Sequence, residues 1–165
     1  MLSDIDSANN LVELFLKRAA ERPDRAFLGA KRDGEWTTIS WKQAADQVCL
    51  LAESLRELGL NPGDRVCLVS ENRPEWCIAD LAIMAAGCIT VPAYVTNTER
   101  DHVHILDNSG ARAVIVSSQK LLGPLHGALQ VTGIADHVIG IEDLHRQQSG
   151  SFSFHQWDKL VQGDA

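Results

Sequence analysis

The run Leu60-Asn61-Pro62-Gly63-Asp64-Arg65-Val66-Cys67-Leu68-Val69, continuing through Ser70-Glu71-Asn72-Arg73-Pro74-Glu75-Trp76 to Gly87-Cys88-Ile89-Thr90-Val91-Pro92, constrains the fold more than any other part of the chain. Asn61 to Asp64 is turn chemistry, and Arg65–Val69 is short, apolar and β-branched, as a strand covered on both faces of a parallel sheet should be. Trp76 to Ala86 carries apolar residues nearly all round, so it reads as a helix buried between layers. Asn72 and Glu75 stand at capping spacing before it, with Pro74 in the first turn, where its missing N–H costs little. Cys88–Val91 is the next strand, and a crossover of this length joins parallel strands by a right-handed connection.

The flanking sequence extends the pattern. Asn10 and Glu13 start a helix over about 10–21, bounded by Pro23. Ala26–Lys31 and Glu35–Thr38 flank Asp33-Gly34, a dipeptide suited to the tight turn of an antiparallel hairpin. Ser40 with Gln43 forms a capping box for an amphipathic helix from Trp41 to Leu58, closed by Gly59. Thr98 with Asp101 starts a helix that Gly110 closes, and Arg112–Val116 is a third strand. Gly123-Pro124, Gly127 and Gly133 interrupt a helical pattern that begins at Gln119, and His137–Ile141 reads as a further strand. Residues 145–152 read as a polar loop or linker, after which Ser153 with Gln156 is expected to cap a short helix through Trp157, Leu160 and Val161. The expectation is an α/β fold: a mostly parallel sheet with flanking helices and a small antiparallel hairpin, residues 1–165 forming a single partial domain.

Composition excludes some roles. Fifteen basic against twenty-two acidic residues give a net charge of −7, so no sequence-wide basic field exists to attract nucleic acid. The start Met1-Leu2-Ser3-Asp4-Ile5-Asp6 lacks a cationic leader and a long apolar run, which predicts no secretory signal and a cytoplasmic location. Cys49, Cys67, Cys77 and Cys88 fall in apolar patterns at spacings that match no zinc or redox motif, and read as reduced core thiols.

Several short signatures recur in order: Leu14-Phe15 with Ala20-Glu21-Arg22-Pro23-Asp24, Thr38-Ile39-Ser40-Trp41, Leu58-Gly59-Leu60 with Pro62-Gly63-Asp64-Arg65-Val66, Ser70-Glu71-Asn72-Arg73-Pro74-Glu75-Trp76, and Gly87 with Val91-Pro92-Ala93-Tyr94. In that order and spacing they resemble the amino-terminal part of AMP-forming acyl-CoA synthetases, an adenylate-forming family. The Ser-Glu-Asn-Arg-Pro-Glu-Trp wording is most similar to the long-chain fatty acid–CoA ligase branch. Val95-Thr96-Asn97-Thr98 departs from that branch, which usually places a proline directly after the tyrosine. The resemblance implies, for an intact enzyme, activation of a fatty acid by ATP and Mg²⁺ to an acyl-adenylate, then acyl transfer to coenzyme A. The family's Ser/Thr/Gly-rich loop ending in Pro-Lys-Gly, its later nucleotide motifs and its carboxy-terminal lysine have no counterparts here. The chain therefore reads as an inactive scaffold segment, with no catalytic, cofactor-binding or metal residue assigned. Self-association through strand edges left open is expected. The alternative is a naturally short protein-interaction or acyl-binding module.

A few polar features carry two readings. Glu71-Asn72-Arg73 lies at the carboxyl end of a parallel strand, where open sheets place ligands, although capping by Asn72 also accounts for it. Tyr94 either lines a groove or packs. Ser117-Ser118 lacks the glycines of a phosphate loop and reads as a helix cap, and Gly63-Asp64-Arg65 as a turn with a surface Asp–Arg pair. His102 and His104 are two apart on a helix and face different directions, and His126, His137, His145 and His155 show no metal-ligand spacing.

Overall fold

Three of the six helices among the described residues begin where a side chain satisfies a backbone N–H that the helix itself leaves unpaired. In the computed structural model, which describes residues 8–32, 34–145 and 151–162, α1 (Leu11–Glu21) starts at Asn10, whose side chain accepts from the Glu13 N–H at 2.8 Å. Glu13 reaches one residue beyond the expected box, to the Asn9 N–H at 2.9 Å. The hairpin follows as β1 (Ala26–Arg32) and β2 (Glu35–Ser40), paired antiparallel. Asp33 of its turn lies outside the described residues, as do the opening residues 1–7, residues 146–150 of the expected 145–152 loop, and residues 163–165. Ser40 and Gln43 complete a reciprocal capping box at the start of α2 (Trp41–Glu57). Phe15, Phe27 and Trp41 then meet at ring-centroid distances of 4.1–5.7 Å, tying α1 and the hairpin to α2.

The sheet is built from β3 (Arg65–Val69), β4 (Ile89–Ala93), β5 (Ala113–Val116), β6 (His137–Gly140) and β7 (Ser153–Gln156), all parallel, in the order β4-β3-β5-β6-β7. Between them run α3 (Pro74–Ala85), α4 (Glu99–Ser109) and α5 (Gln119–Thr132), and α6 (Trp157–Leu160) ends the described chain. Alternate residues of the central strands serve two cores. Val66, Leu68, Ile115 and Ile139 join α2 and α3 on one face, while Cys67, Val69, Val114 and Val138 join Leu106 of α4 and the leucines of α5 on the other. This double coverage explains why Arg65–Val69 is apolar at consecutive positions.

Three local expectations are corrected. Asn72 is not the cap of α3: the N-cap is Arg73, without a side-chain cap bond, because Pro74 takes the first helical position and moves the start one residue on. Ser153–Gln156 does not cap α6 but forms β7, whose Ser153 N–H donates to the Asp136 carbonyl at 2.9 Å. The alternation of Phe152 and Phe154 is a period-two pattern, and both rings pack against the α5-side core. Finally, α5 runs unbroken through Gly123, Pro124 and Gly127, and Gly133 ends it in the left-handed conformation. Gly127 sits where a Cβ would run into the Glu99 carboxylate at the start of α4, so it serves helix–helix packing and does not break the helix.

β4 is an edge strand with a built-in stop. Its Ile89 N–H donates to the Asp64 carbonyl at 2.8 Å, so alternation turns the backbone of Thr90 and Pro92 toward the open side. Pro92 has no N–H to offer there.

Candidate functional site

The strand order places the site. β3 pairs with β4 on one side and β5 on the other, so the chain leaves it in one direction through α3 and later passes it in the opposite direction through α4. Where the direction reverses, the loops beyond the carboxyl ends of the two strands part, and open α/β sheets bind ligands in that crevice. Here the crevice lies between Ser70–Arg73, after β3, and Ser117-Ser118, after β5.

The two loops are joined across the reversal. The buried Ser117 hydroxyl donates to Glu71 Oε2 in a short hydrogen bond. Ser70 Oγ donates to the Glu71 carbonyl at 2.9 Å. The Ser117 hydrogen bond is the main reason that the Glu71 carboxyl is held below the usual carboxylate range; burial opposes it, and the fields of Arg73 and Lys120 add to it. A third loop, after β6, closes the rim: the Ile141 N–H donates to the Val116 carbonyl at 2.9 Å and the Glu142 N–H to the Ser117 carbonyl at 3.1 Å. Arg73 then spans the gap, its Nε donating to Glu75 at 2.9 Å and its Nη1 to Glu142 at 2.8 Å.

Two grooves open on this rim, sharing Glu71, Asn72 and Trp76. One, of about 800 Å³, lies between Leu28, Gly29 and Trp36 of the hairpin and Arg73, Trp76 and Cys77. The other, of about 480 Å³, runs past Pro92, Tyr94 and Val95. Tyr94 lines this second groove and is 81% exposed, which decides between its two readings. With Asn72 freed from capping, the ligand-facing reading of Glu71-Asn72-Arg73 gains ground, since both grooves converge on that turn.

The remaining sequence candidates distribute elsewhere. Ser118 takes the N-cap position of α5, but its hydroxyl is buried without a hydrogen-bond partner among the described residues. Asp64 pairs with Arg112 at 3.1 Å and not with Arg65, correcting the expected turn pair. Arg65 instead donates to the carbonyls of Ser109 and Gly110 at 2.6 and 3.1 Å, where Gly110 closes α4 in the left-handed conformation (φ 60°). That end of the sheet is a structural clamp. His102 is buried, which pushes its pKa down, while His104 faces solvent, so the two diverge as the helical spacing predicts. Cys67 and Cys88 are buried, and burial pushes the Cys67 thiol up to about 12, but Cys49 is exposed on the outer face of α2 and is no core thiol. Sequence reasoning missed the pairing of His137 with His155, whose ring nitrogens lie 3.1 Å apart on β6 and β7. Without β7 no signal placed them together.

Arg73 is engaged by two carboxylates, and Glu71 adds a third negative charge to the rim. No helix among the described residues is long and apolar enough to cross a membrane.

Known proteins resemble this chain in sequence and in fold. The family model described as AMP-binding enzyme matches residues 15–160. The long-chain-fatty-acid–CoA ligase FadD15 of Mycobacterium tuberculosis is 35% identical over 103 residues, which are 62% of this chain and 17% of that protein. From the same organism, the uncharacterized protein Rv1549 is 28% identical over 118 residues, covering 72% of this chain and 66% of that one. Among solved structures, the anthranilate CoA ligase AuaEII in complex with anthranoyl-AMP superposes with a TM-score of 0.78 at 19% identity, over 91% of this chain and 27% of that one. The chain thus spans 17% of FadD15 and 27% of AuaEII.

Proposed function

The chain belongs to the AMP-binding enzyme family, and from that premise we propose that it is the amino-terminal scaffold segment of a long-chain fatty acid–CoA ligase. In the intact enzyme the reaction is ATP, fatty acid and coenzyme A to acyl-CoA, AMP and pyrophosphate. The observation that carries the reading is the family match over residues 15–160 in a chain that spans 17% of the ligase FadD15. ATP, Mg²⁺, coenzyme A and fatty acid are held largely by the rest of such an enzyme, because Arg73 on the rim is engaged by Glu75 and Glu142, and Glu71 by Ser117. This segment's part is to fix the loops after β3, β5 and β6 against each other. It works in the cytoplasm, in keeping with thiols that remain free, and alone it is inactive.

Palmitate-dependent exchange of pyrophosphate into ATP tests this directly. The 165-residue chain is expected to give none; exchange above a no-enzyme control refutes the inactive-scaffold reading. A second reading, a naturally short interaction or acyl-binding module, is favoured by the match to Rv1549, of which the aligned 118 residues make up 66%. Calorimetric palmitate binding without exchange favours the module. A coding sequence that runs on into a Ser/Thr/Gly-rich loop ending in Pro-Lys-Gly favours the ligase segment.

A further inference from the structure

Two imidazoles meet away from the ligase rim, on β6 and β7. His137 opens β6 and His155 lies in β7, with His137 opposite Ser153 and Ile139 opposite His155 in the parallel ladder. The two histidines are therefore two steps apart in register and on the same face of the sheet. His137 Nδ1 and His155 Nε2 are 3.1 Å apart, ring centroids 5.2 Å apart, and both residues are half-buried, so solvent reaches them.

We propose that His137 and His155 form a two-imidazole site for a late first-row divalent cation such as Zn²⁺, Ni²⁺ or Cu²⁺. Metal–nitrogen bonds of about 2.0–2.1 Å meeting at square-planar to tetrahedral angles place the two nitrogens roughly 2.8–3.4 Å apart. The observed separation lies within that span, so the strands need not move. The cation sits off the line joining the nitrogens, and each ring reaches it by rotating about its own side-chain bonds. The two nitrogens lie within hydrogen-bond distance of each other, and each must present its lone pair to the cation, so any proton held between them passes to water on metal binding. Imidazole donors select late transition metals over Mg²⁺ and Ca²⁺, which separates this site from any nucleotide-bound Mg²⁺ of the ligase reaction.

The test is isothermal titration of the full, tag-free chain with ZnCl₂, NiCl₂ and CuCl₂, and with MgCl₂ as the contrast. The expected result is one saturable site per chain for the transition metals, tightest for Cu²⁺, reversed by EDTA and unaffected by Mg²⁺. His137→Gln and His155→Gln should each weaken binding by about tenfold or more, while His104→Gln, on the exposed side of α4, leaves it unchanged. Imidazole ¹⁵N spectra of the unsubstituted chain give a second readout independent of variant folding: the resonances of His137 and His155 move together on zinc addition. Absence of saturable binding, full binding in either glutamine variant, equal competition by Mg²⁺, or zinc shifts at other histidines alone would each overturn the proposal.

Discussion

Arg73 is the side chain whose loss should loosen the rim most. Its side chain is 21% exposed and bonds Glu75, 14% exposed, through Nε and Nη2, and Glu142, 52% exposed, through Nη1. Replacing it by Met keeps most of the packed stem and removes only the charge and its donors. The half-exposed contact to Glu142 is worth about 0.2–1 kcal/mol, as for other solvent-screened pairs. The contact to Glu75 is better shielded, and losing Arg73 leaves a mostly buried carboxylate without its cation, which adds about 1–2 kcal/mol. Arg73→Met should therefore lower stability by roughly 1.2–3 kcal/mol, moving the urea midpoint down by about 1 M at an m-value near 2 kcal/mol/M. Urea unfolding at neutral pH, followed by tryptophan fluorescence, measures it. Adding Glu75→Gln should restore part of the loss, because the mostly buried charge that Arg73 offsets is then gone; adding Glu142→Gln should restore little. A loss below about 0.5 kcal/mol, or one that Glu75→Gln leaves unchanged, would show that Arg73 does not hold the loops together.

Three shorter predictions concern other parts of the fold. Asp64 is held below the usual carboxylate range first by the Asn61 N–H and Glu71 first by the Ser117 hydroxyl. Their stabilisation is complete above the unfolded values near about 4 and is lost as pH falls through the lower folded values. Ser117→Ala should then lower stability at neutral pH and make the decline on acidification shallower in urea midpoints; an unchanged slope would remove Glu71 from that account. Gly110→Ala places a Cβ at positive φ against Arg65 Nη2, and should cost about 1–2 kcal/mol in chemical denaturation, with Gly110→Asn milder. Pro92→Thr restores an outward N–H on the open edge of β4 and should raise the associated fraction seen by light scattering; identical scattering from both chains would mean that the proline does not guard that edge.

What the sequence revealed and what it concealed divide by range. Ser40 with Gln43 and Thr98 with Asp101 are contacts three residues apart, so the helix starts they mark are legible and the structure has both boxes. The same spacing misleads at Asn72 with Glu75, where Pro74 overrides the cap, and at Ser153 with Gln156, where a four-residue strand carries too short an alternation to outweigh a plausible box. Gly127 reads locally as a breaker because its reason, the Glu99 carboxylate, lies on another helix. The candidate site follows the same rule. Glu71-Asn72-Arg73 is visible as a polar turn at the end of an apolar strand, but Ser117 is 46 residues from Glu71 and Glu142 is 69 from Arg73. No local pattern says which loops face each other; that is decided by β3 pairing on both sides, with β4 and with β5. Strand order is itself set by which edge each crossover helix can cover. The Leu60–Pro92 run therefore carries half of the information: it fixes the first crossover and the turn on which the grooves converge. The second half lies in β5 and the loop after β6, and only when both are placed does a capping-like turn become one wall of a crevice.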